Sequence, residues 1–119
     1  MILIAGMVLE AVLGGSVSAS QPEVHVTYVD WNPQGQPTVP RTQRTSTNNT
    51  TDVTICAAPV ENLAREILEI NAFNKDSATV ALTIKTADGT DRVLITRTLT
   101  TLQTLDWKKT HPWTVIATA

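Results

Sequence analysis

Cys56, His25 and His111 carry the strongest intrinsic chemistry in this 119-residue chain, and none has the company that chemistry needs. A thiol nucleophile wants a positioned imidazole, but neither histidine lies in a recognisable motif. Cys56 sits in the apolar run Val53-Thr54-Ile55-Cys56-Ala57 and reads as a small buried hydrophobe on a strand. A single cysteine makes no internal disulfide and leaves no CxxC pair for zinc. The acidic residues Asp30, Asp52, Glu61, Glu66, Glu69, Asp76, Asp88, Asp91 and Asp106 are scattered, and no spacing brings two together for acid–base work. There is no phosphate-cradling Gly loop, HExxH, GxSxG or EF-hand loop. The expectation is a non-enzymatic protein with no catalytic residue, no metal and no cofactor.

Binding chemistry has more material. Trp31 adjoins a Pro-rich stretch and suits either a strand-end anchor or contact with another subunit. Trp107 and Trp113 are expected in the core. Arg41 and Arg44 lie in a polar stretch and suit a partner's carboxylate, but two arginines are not a nucleic-acid patch. The net charge of −2 agrees, giving no general attraction to nucleic acid. Asn48-Asn49-Thr50-Thr51 holds two overlapping glycosylation sequons, which carry meaning only on a eukaryotic secretory route.

The elements that position these residues are strands. Thr supplies about one residue in six, with many Val and Ile, and such stiff side chains suit a pleated surface. Residues 78–99 give the clearest pattern: Val80, Leu82 and Ile84 alternate with polar residues, Asp88-Gly89 turns the chain, and Val93, Ile95, Arg97 and Leu99 resume it. Residues 23–30 form another strand. Residues 32–51, with Pro33, Pro37, Pro40 and a Thr/Asn run, read as one long loop. Residues 52–58 form a short strand. Residues 61–73 are ambiguous, since Leu63, Ile67 and Ile70 have helical spacing; the short strands on either side favour a strand over 65–73. A strand end follows near 100–107, residues 108–112 form a turn, and 113–117 form the closing strand.

Residues 1–19 are mostly apolar, and Val17-Ser18-Ala19 is similar to a cleavage site. No Lys or Arg precedes Arg41, however, and Glu10 interrupts the run, which is too short for a membrane span. The expectation is an extended N-terminal arm over residues 1–22, followed by one β-sandwich domain over 23–119. Leu9, Val12 and Leu13 on the arm, with Trp31, Arg41 and Arg44, are the candidate interface residues. The fold class is all-β, an antiparallel, jelly-roll-like β-sandwich. Charged residues are only 17% of the chain, so its surface is expected to be covered by neighbours.

The pattern Ile55-Cys56-Ala57-Ala58-Pro59, then Ile70-Asn71-Ala72-Phe73-Asn74-Lys75-Asp76, then Val80-Ala81-Leu82-Thr83-Ile84, a Gly turn, Thr98-Leu99 and a final Trp113-Thr114-Val115 resembles small virion structural proteins of tailed bacteriophages. The arm-like Leu9-Glu10-Ala11-Val12-Leu13 and the strand Val26-Thr27-Tyr28-Val29-Asp30 extend the likeness over most of the chain. The resemblance implies a non-enzymatic building block, a capsid decoration or cement protein, or one at the neck or tail. It implies a homotrimer seated on the major capsid protein or other virion proteins, assembled in the bacterial cytoplasm, with no nucleic acid or membrane partner. Where such proteins carry a Gly-rich turn before the last tryptophan, this chain has Lys108-Lys109-Thr110-His111-Pro112. A carbohydrate- or receptor-binding sandwich, using Trp31 and the Asn/Thr loop, is the competing expectation.

Overall fold

Period-two patterning becomes a strand wherever one side of the backbone can be buried. In a computed structural model describing residues 1–117, ten strands result: β1 (Ile2–Leu3), β2 (Val8–Leu13), β3 (Glu23–Trp31), β4 (Arg41–Ser46), β5 (Val53–Cys56), β6 (Ala64–Phe73), β7 (Val80–Ala87), β8 (Asp91–Leu99), β9 (Thr104–Lys108) and β10 (His111–Ile116). The first sheet runs β10-β9-β6-β3-β4, with β1 pairing the start of β6; the second runs β5-β2-β7-β8. Every pairing between strands is antiparallel, and the inner faces of the two sheets share one core. The expected all-β antiparallel sandwich is the fold.

The core is aliphatic. Leu9, Ala11, Val24, Val26, Ile55, Ile67, Ile70, Leu82, Ile84, Leu99 and Leu105 are fully buried. Cys56 is buried among them as a small hydrophobe, its thiol pKa raised by burial. Trp107 and Trp113 are half-buried against this core, their rings 6.1 Å apart and tilted by 42°.

Two expectations fail here. The N-terminal segment is not an arm. β2 lies in the middle of the second sheet, between β5 and β7, and Leu9, Ala11 and Leu13 point into the chain's own core. An alternating strand looks the same in sequence whether it buries its apolar face against its own body or a neighbour's. The 32–51 loop is also not one loop. It contains β4, an edge strand paired with β3 from Tyr28↔Arg41 to Glu23↔Ser46. β4 has no apolar side chain, so the alternation that marks strands is missing; Thr and backbone pairing suffice at an edge. Residues 32–40 are ordered by their own bonds: the Asn32 carboxamide oxygen accepts the Gln34 and Gln36 N–H groups at 3.0 and 2.9 Å, and Thr38 N–H donates to the Asp30 carbonyl at 2.8 Å.

Polar ties hold both ends of the sandwich. At one end, Ser18, Ala19 and Ser20 N–H groups donate to the Asp76 carboxylate at 3.0, 2.8 and 3.0 Å. Asn74, fully buried, donates to the Ala78 and Leu99 carbonyls at 3.0 and 2.9 Å. At the other end, Arg65 grips Asp30 with two bonds of 2.8 and 3.0 Å, donates to the Ala57 carbonyl and lies 4.2 Å over the Tyr28 ring. On the outer face of the second sheet, Lys85 bridges Asp52 and Asp91 at 3.0 and 2.7 Å, joining the start of β5 to β7 and β8.

Candidate functional site

The six residues expected at an interface are not brought together. Leu9 and Leu13 are core residues, so neither reaches a neighbour. Val12 is half-buried, on the β2 face opposite to theirs. Trp31 is half-buried, its indole N–H donating to Glu66 Oε1 at 3.1 Å. Lys109 holds the other Glu66 oxygen at 2.9 Å and, with the indole, lowers the Glu66 pKa. Arg41 and Arg44 are exposed on the edge strand β4, three positions apart and therefore on opposite faces; neither forms an ion pair among the described residues.

Two surfaces do gather side chains. The first is one end of the sandwich. The register puts the end of β3, the starts of β4 and β6, the end of β5 and the β1–β2 turn at the same pole. Ile2, Ile4, Val39 and Val60 are all there, 49, 57, 79 and 68% exposed. Trp31 and Arg41 stand at this pole too, with the Pro-rich turn of residues 32–40 between them.

The second is an open groove of about 440 Å³ on the outer face of the first sheet, lined by Glu23, His25, Asn71, Phe73, Lys75 and Thr104. Cross-strand rows build it. Glu23 pairs with Phe73 and Phe73 with Thr104; in the next row His25 pairs with Asn71 and Asn71 with Asp106. His25 Nε2 lies 2.6 Å from Glu23 Oε1, and Lys75 Nζ 3.5 Å from Glu23 Oε2. The contact with His25, then Lys75, lowers the Glu23 pKa. Asn71 donates to Asp106 Oδ1 at 3.1 Å, which fixes its amide against the sheet.

Phe73 is the chain's only phenylalanine, and it stands outside the aliphatic core, half-buried on the solvent side of its sheet. Sequence reasoning missed this groove. Its one legible signal is parity: Phe73 shares a strand face with the polar Asn71 and is flanked by the inward Ala72.

Among the described residues, no three His, Cys, Asp or Glu side chains converge to hold a metal ion, and no helix is long and apolar enough to cross a membrane. No protein-family model, curated protein or solved structure matches the chain.

Proposed function

We propose that this chain is a non-enzymatic structural subunit of a tailed-phage virion, foremost a capsid decoration or cement protein. In this reading it forms a homotrimer and seats on the major capsid protein; the neck or tail is the alternative placement. The observation that carries the reading is the apolar pole. Four aliphatic side chains, Ile2, Ile4, Val39 and Val60, are offered to solvent by β1 and neighbouring connections at one end of a cross-braced body. Burying the exposed part of each stabilises a contact by roughly 1–2 kcal/mol before ordering costs. Repetition around a ring multiplies weak contacts into avidity. The turn of residues 32–40 is internally bonded, so little ordering cost remains to be met on docking.

Contact through loops also fits the sheet edges, which are all blunted against strand addition. β4 is polar and carries two arginines, β5 has four residues, and β10 contains Pro112 and a register shift. β8 carries a bulge at Leu94 and points Arg92 and Arg97 along its inner face. The test is the native mass, with attachment to phage capsids that lack the protein. A trimer that binds such capsids supports the reading; a permanent monomer that ignores them overturns it.

A further inference from the structure

We propose that the groove on the outer face of the first sheet binds a neutral saccharide, a function separate from assembly through the pole. Aromatic side chains supply the largest apolar area to a fold, yet this chain places its only phenylalanine on the polar side of β6. The core is filled by Leu, Ile and Val instead. A ring held half-open in the floor of a groove offers a flat apolar platform. A pyranose has a matching surface: one face of C–H groups, with hydroxyls around the rim.

The rim of the groove suits those hydroxyls. The Thr104 hydroxyl donates and accepts, the Asn71 amide does both, the Glu23 carboxylate accepts, and Lys75 donates. These groups come from β3, β6, the turn after β6, and β9. The tie between Asn71 and Asp106 and the cluster of Glu23 with His25 and Lys75 hold three of them in place without a ligand. The volume of about 440 Å³ falls within the range of small-ligand clefts, roughly 300–1,000 Å³.

Charge selects the ligand class. The formal charges of Glu23 and Lys75 cancel, and both are already engaged with each other. A phosphate or acidic ligand would have to share Lys75 with Glu23, whereas a polyol needs only the spare lone pairs and N–H groups. A groove this open supports millimolar affinity, so multiple copies on one particle would supply avidity.

The test is 1H–15N NMR titration of the full chain with maltose, lactose and N,N′-diacetylchitobiose, with glucose 6-phosphate as the anionic comparison. The expected result is saturable shifts of the His25, Asn71, Phe73 and Thr104 amides with at least one neutral disaccharide. Phe73→Ala should weaken that binding about tenfold or more, and Phe73→Trp should retain it. If Phe73→Ala fails to fold, Thr104→Lys, which fills the groove from the partly exposed start of β9, should abolish the shifts instead. No saturable shift with any neutral probe, shifts mapping elsewhere, or preference for the anionic sugar would overturn the proposal. Native mass is read separately: a chain that binds sugar but stays monomeric contradicts only the assembly reading, and one that assembles without binding sugar contradicts only this one.

Discussion

Asp76 shows how much one side chain can join. Its carboxylate collects the backbone N–H groups of the β2–β3 connection from a position between β6 and β7, tying together two crossovers between the two sheets. Those donations, Ser18 and Ser20 foremost, hold its pKa well below the usual carboxylate range, at about 2. The folded form therefore prefers the ionised carboxylate more than the unfolded chain does. That preference is fully present above the unfolded value of about 3.9 and is lost as pH falls from there toward 2. Asp76→Asn should lower Tm at pH 7 and flatten the loss of Tm between pH 4 and about 2, as followed by circular dichroism. An unchanged Tm at neutral pH would mean the three N–H groups are served equally well by water. Trp113 makes a second residue-scale case. It is half-buried and packs on the core beside Trp107, so Trp113→Ala should cost about 2 kcal/mol in chemical denaturation, less than the 3–5 of a fully enclosed tryptophan.

At the scale of elements, β2 is the decisive strand. It pairs on both sides and inserts Leu9, Ala11 and Leu13 into the core. Deleting residues 1–13 should abolish the far-UV strand signal and cooperative melting, and Leu9→Ala alone should cost about 2–5 kcal/mol. A truncated chain that still melted cooperatively would restore the arm. The hairpin of β7 and β8 was legible because its apolar side is buried and Gly89, at φ 96°, makes the turn. β6 was harder because of a bulge. Thr27 pairs with Glu69 but Tyr28 with Ile67, so Leu68 is an extra residue and both Ile67 and Ile70 face inward. A three-residue apolar spacing of that kind imitates a helix, although each half of the strand keeps period two. The same device at Leu94 turns Val93 outward, against the simple alternation that would pair it with Ile95 and Leu99. Bulges and edge strands such as β4 leave almost no mark in a single sequence, because backbone hydrogen bonds decide them. The groove was hidden for a related reason. Its residues come from β3, β6, the turn after β6, and β9, and become neighbours only once the register is known.

For the whole molecule, the distribution of surface chemistry matters more than any single site. The groove on the outer face of the first sheet is polar around one aromatic, the edges are blunted, and four of the exposed large aliphatics gather at one pole. On this account the pole docks and the sheet face stays free for a small ligand. The most direct test of docking through the pole is the mass of the intact chain by size-exclusion chromatography with light scattering, beside the double variant Val39→Asp/Val60→Asp. Both side chains are well exposed, 79 and 68%, so the substitutions should change stability by no more than about 0.5 kcal/mol. The account predicts a trimeric mass for the natural chain and a folded monomer for the variant. A natural chain that stays monomeric at every concentration, or a variant that keeps the trimeric mass, would contradict it.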